Sequence, residues 1–136
     1  MTQVARVSYR IIYGDTDCGG VVYYANYFRL FEIGRTELLR QAGLTYRDIE
    51  EKEGLILPVV EAQARYRHPA RYDDLVTIET RFAELYPHKV RFEYKIFLEE
   101  KLLVEGFTVH VPVNKDGRLI KFPENLYNVL KKISES

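Results

Sequence analysis

Between Tyr13 and Tyr27 the chain reads YGDTDCGGVVYYANY, which sets two carboxylates, Asp15 and Asp17, just ahead of Gly19 and Gly20. A long aromatic-rich helical pattern follows. Such a junction has two readings. In the first, the aspartates accept backbone hydrogen bonds as turn and cap residues, and the glycines relax the chain between strand and helix. In the second, the N–H groups that a helix start leaves without intrahelical partners favour negative charge. Glycines let a ligand approach that backbone closely. An acyl carbonyl oxygen aimed at those amides meets an oxyanion hole, and a carboxylate beside it attacks the carbonyl or activates water. That chemistry is thioester or ester hydrolysis without a Ser-His-Asp triad. On residue types alone both readings stay open.

Other reactive side chains are less suggestive. Cys18 has no histidine near it in sequence and reads as a spectator thiol. His68, His88 and His110 are scattered and fall in no ligand-spaced motif, so no metal is expected. Glu32 and Arg35 stand one helical step apart and read as an ion pair. Asn26 reads as a brace for the junction, and Tyr27 as a packing residue.

The elements that must hold the junction are legible from periodicity. Val7, Tyr9, Ile11 and Tyr13 alternate with Arg6, Ser8 and Arg10, which predicts a strand. From Val21 to Gly43 the polar stripe Arg29, Glu32, Thr36 and Arg40 recurs at helical spacing, with apolar residues around most of the remaining circumference. A helix this apolar is expected to be wrapped by something. TYRDIEEKEG predicts a short helix capped by Thr45 and stopped at Gly54. Beyond residue 58 the period becomes two, with four alternating runs around Val60–Tyr66, Val76–Phe82, Val90–Leu98 and Leu103–Val113. Short links such as the Pro87 turn make them antiparallel hairpins. NKDG is a further turn and PENLYNVLKKI a terminal helix. The expected class is α+β: a curved antiparallel sheet of about five strands around one long central helix, as a single domain over 1–136. The rival, a flat sandwich, asks for a helix with one apolar stripe.

Composition narrows the partners. Lys+Arg and Asp+Glu number 20 each, so no overall field favours nucleic acid or an anionic membrane. No apolar run is long enough for a bilayer, and the first ten residues lack an apolar leader core. One cysteine excludes an internal disulfide framework and suits a reducing compartment, so a cytoplasmic location is expected. The 11 tyrosines and 7 phenylalanines fit a large core and a further buried surface in an oligomer.

YGDTDCGGVVYYANYFRLFEIGRTELLR resembles the signature of the 4-hydroxybenzoyl-CoA thioesterase family of hotdog-fold proteins, closest to the Tol–Pal-associated bacterial acyl-CoA thioesterase branch. The pattern Asp17-x-x-Gly20-x-Val22, then Asn26-Tyr27, Glu32 and Arg35, matches in order and spacing. YRHPARYDDLVTIET and VHVPVNKDGRLIKFPENL extend the likeness over most of the chain. The resemblance implies that Asp17, not Asp15, is the catalytic nucleophile or general base. It also implies that amides around Gly20 to Tyr24, with that of Tyr24 foremost, form the oxyanion hole. Gly19, Gly20, Val22 and Asn26 would line the substrate. The resemblance does not place the CoA phosphates; Lys89 and Arg91, with Arg65, Arg67 and Arg71, are the cations available on strands or strand ends near the expected groove. No cofactor is implied. Partners would be acyl-CoA, an acyl carrier protein, and further copies of the chain as a dimer or a dimer of dimers (a homotetramer). Many Tol–Pal relatives carry histidine where this chain has Tyr24, whereas the 4-hydroxybenzoyl branch has tyrosine there. The alternatives are a non-catalytic acyl-CoA or acyl-carrier-protein binding module and, more weakly, a dehydratase, which asks for a histidine that the helix lacks.

Overall fold

The alternating N-terminal run forms β1 (Val4–Arg10), and the four later runs form β3 (Val59–Tyr66), β4 (Leu75–Tyr86), β5 (Lys89–Leu98) and β6 (Lys101–His110). These come from a computed structural model that describes residues 3–135. The five strands make one antiparallel sheet in the order β1-β4-β5-β6-β3. Tyr86 pairs with Lys89 across the Pro87 turn, and Leu98 pairs with Lys101 across the Glu99 turn. The chain crosses from β3 at one edge to β4 beside β1, so β3 leaves one flank unpaired among the described residues.

Helix α1 (Asn26–Gln41) lies on the concave face with Tyr27, Leu30, Phe31, Gly34, Leu38 and Leu39 buried. Strand side chains of period two supply the opposing layer: Val76, Ile78, Phe92, Tyr94 and Ile96 are all buried. Phe31 stacks on Tyr94 with centroids 4.3 Å apart and planes 4° from parallel. The wrap is partial: Arg29, Glu32 and Arg40 face solvent, while Phe28 and Ile33 are only half-buried. The helix ends in a Schellman motif. Gly43 takes φ 86°, its N–H bonds to the Arg40 carbonyl at 3.0 Å, and the Leu44 N–H bonds to the Leu39 carbonyl at 2.9 Å.

Helix α2 (Tyr46–Glu53) is capped as expected, with Thr45 accepting from the Asp48 N–H at 3.1 Å and Gly54 at φ 67°. Helix α3 (Glu124–Glu135) buries Leu126, Leu130 and Ile133 at helical spacing. A small ladder of β2 (Leu55–Ile56) with β7 (Val113–Asn114) was not foreseen, because two residues a side carry no readable period.

α1 starts at Asn26, five residues later than the pattern from Val21 suggests. Val21 and Val22 are instead taken up by backbone bridges to Arg71 and Thr16. Tertiary pairing has overridden a local helical pattern.

Close approach of α1 to the sheet is set by one residue. A Cβ added at Gly34 would lie 2.1 Å from Thr80 Oγ1 and 2.8 Å from Ile78 Cγ2. Glycine to alanine inside a helix ordinarily gains about 1 kcal/mol from propensity. Here overpacking costs about 1–3 kcal/mol and decides the sign. Urea unfolding of Gly34→Ala is expected to show a lower midpoint; a higher one would mean α1 is not seated on β4.

Candidate functional site

The junction between β1 and α1 is a miniature hairpin. The Tyr23 N–H donates to the Asp15 carbonyl at 2.9 Å, and the Asp17 N–H donates to the Val21 carbonyl at 2.9 Å. The Gly20 N–H closes the tip on the Asp17 carbonyl at 3.2 Å, with Gly20 at φ 80°, where a side chain would be strained. Outside the hairpin, the Val22 N–H donates to the Ala70 carbonyl at 2.9 Å, which ties the loop to the segment entering β4.

The two aspartates have different surroundings. Asp15 is 2% exposed and accepts from the Tyr9 hydroxyl and the Ile12 N–H, each at 2.9 Å, and from the Arg29 guanidinium. Its oxygens are occupied by the fold. Asp17 is exposed, and one oxygen, Oδ1, accepts from the Gly19 N–H at 2.7 Å. A methyl group at Gly19 would stand 3.2 Å from that oxygen, so the glycine lets the turn hold the carboxylate. Oδ2 has no hydrogen-bond partner among the described residues. This is a carboxylate oriented by one bond with its second oxygen open.

The expected oxyanion donors sort in the same way. Amides of Gly20, Val22 and Tyr23 are already spent on carbonyls, so they cannot serve, a correction that follows from the hairpin. The Tyr24 N–H has no partner among the described residues. Its peptide plane is fixed because the Tyr23 carbonyl accepts from the Asn26 N–H at 2.9 Å. Asn26 also braces the loop, its side-chain amide donating to the Asp15 carbonyl at 2.9 Å. Val22 is buried under the loop, whereas the Tyr24 ring is 60% exposed. Tyr27 is buried and its hydroxyl accepts from the Ala70 N–H at 3.1 Å.

Tyr66 is a site residue that sequence reading missed. Its hydroxyl donates to the Tyr24 carbonyl at 3.2 Å, and the two rings meet edge-on at 6.2 Å. Forty-two positions separate them, and only the sheet topology brings them together. Val22, Tyr24, Tyr27, Tyr66, Arg67, His68 and Pro69 enclose a shallow recess of about 210 Å³ beside the junction.

Lys89 and Arg91 lie elsewhere in the same chain. Tyr66 is level with Val104 and Ile96, while Val90 pairs with His110 at the opposite end of the sheet. Six residues along β5 make that about 20 Å. Arg91 alternates with the buried Val90 and Phe92, so it stands on the outer face, stacked 3.8 Å from the Phe107 ring centre. Cys18, His68 and His88 are exposed, and no group of metal-binding side chains occurs among the described residues.

His110 is the exception among the histidines: 2% exposed, with both ring nitrogens bonded. Nδ1 reaches the Leu57 carbonyl at 3.0 Å and Nε2 reaches Thr108 Oγ1 at 2.8 Å. Burial, reinforced by the Arg35 charge and opposed by the Leu57 bond, pushes its pKa down to about 4. A histidine depressed from 6.5 stays neutral in the fold while the unfolded chain takes up a proton, so stability falls as pH drops from 6.5 to 4. The loss is roughly 3 kcal/mol at about 1.4 kcal/mol per pH unit. Chemical unfolding of wild type and His110→Gln across that window is expected to differ by this pH-dependent loss; parallel curves would place the proton elsewhere.

Residues 13–130 match the thioesterase-like superfamily. An acyl-CoA thioesterase of Haemophilus influenzae is 34% identical over 119 residues, covering 86% of this chain and 87% of its own. A 1,4-dihydroxy-2-naphthoyl-CoA hydrolase of Microcystis aeruginosa is 29% identical over 127 residues, 92% of each chain. Among solved structures, a Thermus thermophilus protein superimposes with a TM-score of 0.91 at 34% identity, covering 96% of this chain and 98% of that one. The five-stranded sheet wrapped on α1 is the hotdog architecture expected from the resemblance, and the chain belongs to the thioesterase-like superfamily.

Proposed function

We propose that this protein is an acyl-CoA thioesterase that converts a CoA thioester and water to a free carboxylic acid and CoA thiol at Asp17. The single observation that carries the assignment to this loop is the pairing of an open Asp17 oxygen with a free Tyr24 N–H on one braced hairpin. The thioester oxygen accepts from the Tyr24 N–H as negative charge develops on it, and the carboxylate attacks the acyl carbon or takes a proton from the attacking water. Gly19, Gly20, Val22 and Asn26 act by shaping this loop.

The working unit we propose is at least a dimer. β3 carries exposed Val59, Val60 and Tyr66 along an unpaired edge, a surface that invites another strand. Antiparallel pairing of β3 with its copy over all eight residues sets Tyr66 of one subunit opposite Val59 of the partner subunit. That brings the Lys89 and Arg91 end of one copy to the Asp17 end of the other, where CoA phosphates need cations. A dimer of dimers, a cytoplasmic location, and an acyl carrier protein as alternative thioester donor belong to the same reading. No helix among the described residues is long and apolar enough to cross a membrane.

The test is free-thiol release over a panel of aliphatic and aromatic acyl-CoAs, with calorimetry on the same ligands. Turnover that depends on Asp17 supports the enzyme. Tight binding without turnover in wild type would instead support a binding module, the reading motivated by tyrosine in place of histidine at position 24.

A further inference from the structure

A second cavity, of about 430 Å³, opens at the other end of the sheet between α1, Tyr46 and the start of β3. Leu39, Leu57, Pro58, Val59 and Phe92 make its walls largely apolar, and Glu32, Arg35, Thr36 and His110 supply the polar groups. The size suits a small organic ligand, since such sites run roughly 300–1,000 Å³ and combine apolar walls with a few fixed polar groups.

Its polar side is ordered by a buried relay. The Leu57 carbonyl can only accept, so neutral His110 donates to it from Nδ1 and accepts on Nε2 from the Thr108 hydroxyl. Thr108 Oγ1 must then accept from the Tyr94 hydroxyl at 2.6 Å, and the Tyr94 oxygen is left to accept from Arg35 at 3.5 Å. Every donor in the relay is spent except at its outer end. There the guanidinium has five N–H groups but two distant partners, Tyr94 and Glu32, the latter at 3.8 Å with its side chain 66% exposed. Arg35 itself is 18% exposed. A largely buried guanidinium with open donors over apolar walls is suited to bidentate capture of an oxyanion.

We propose that this cavity binds a carboxylate, or a comparable oxyanion, carried on an apolar body, with Arg35 as its anchor and selector. The further consequence rests on the thioesterase and dimer reading: antiparallel pairing of β3 turns the cavity of one subunit toward Asp17 of the other, so it receives the far end of the acyl group. The preferred substrates are then acyl-CoAs whose acyl group ends in a carboxylate.

Two arms separate the claims. In the first, benzoate and the neutral isostere benzamide are titrated calorimetrically into wild type, Arg35→Met, Arg35→Lys and Asp17→Asn. Wild type and Asp17→Asn are expected to prefer benzoate by about tenfold or more, Arg35→Met to lose the preference, and Arg35→Lys to keep part of it. Equal affinity of the two ligands in wild type, or an undiminished preference in Arg35→Met, overturns the site. Should Arg35→Met fail to fold, the wild-type comparison and Arg35→Lys still decide. The second arm compares kcat/KM for glutaryl-CoA and pentanoyl-CoA. A glutaryl preference that disappears in Arg35→Met supports the acyl subsite, and its absence in an active wild-type enzyme overturns it. If no acyl-CoA turns over yet benzoate selectivity holds, the thioesterase reading falls and the oxyanion site stands.

Discussion

Asp17→Asn is expected to lower kcat for acyl-CoA hydrolysis by about 10²–10⁴-fold while leaving the unfolding midpoint nearly unchanged. The size follows from what the carboxylate is asked to do. As a base or nucleophile it must hold a negative charge and a basic lone pair, and an amide supplies neither. The stability expectation follows from its surroundings. Asp17 is exposed, and its one internal bond comes from the Gly19 N–H, which the amide oxygen of asparagine also accepts. KM is expected to change little, because the acyl carbonyl is gripped by the Tyr24 N–H and not by this side chain. Steady-state kinetics on the best substrate of the panel, with denaturant unfolding of the same preparations, gives both readouts. Full retention of kcat in a folded Asp17→Asn protein would remove Asp17 from the chemistry.

The architecture was largely readable because long periodic runs announce themselves. β5, with Val90, Phe92, Tyr94 and Ile96 inward, is where alternation and burial agree residue by residue. Helix ends marked by Thr45, Gly54 and Gly43 were equally plain, since each has one stereochemical job. The start of α1 was misplaced because Val21 and Val22 satisfy a helical pattern locally, yet Val21 bridges to Arg71 and the Val22 N–H bonds to the Ala70 carbonyl, both far along the chain. Backbone pairing, inside the hairpin for Gly20 and Tyr23 and to Ala70 for Val22, decides which amides are free, so the donor set shrank from the whole Gly20–Tyr24 stretch to Val21 and Tyr24. Tyr66 and the His110 relay were invisible for a related reason. Their partners lie 42 and 53 positions away, and a lone tyrosine or histidine on a strand carries no signal of what will be across the sheet.

Asp15→Ala is the counterpart that separates the two aspartates, and its expected effect is on folding. The buried carboxylate gathers the Tyr9 hydroxyl, the Ile12 N–H and the Arg29 guanidinium, which link β1, the junction and the first turn of α1. Removing it leaves two part-buried donors unpaired, at about 1–3 kcal/mol each. Arg29 is 44% exposed along its side chain, so water recovers much of its loss and no full buried-pair penalty applies. A total near 3 kcal/mol is expected, or a drop of about 10 °C in the midpoint for a domain of this size. Activity per folded molecule is expected to fall far less than in Asp17→Asn. The hairpin bonds from Tyr23 and Asn26 go to the Asp15 carbonyl, which alanine retains. Thermal unfolding paired with active-site-normalised kinetics distinguishes the roles. A stable but inactive Asp15→Ala beside an active Asp17→Asn would exchange them, and with them the direction from which the acyl carbon is approached.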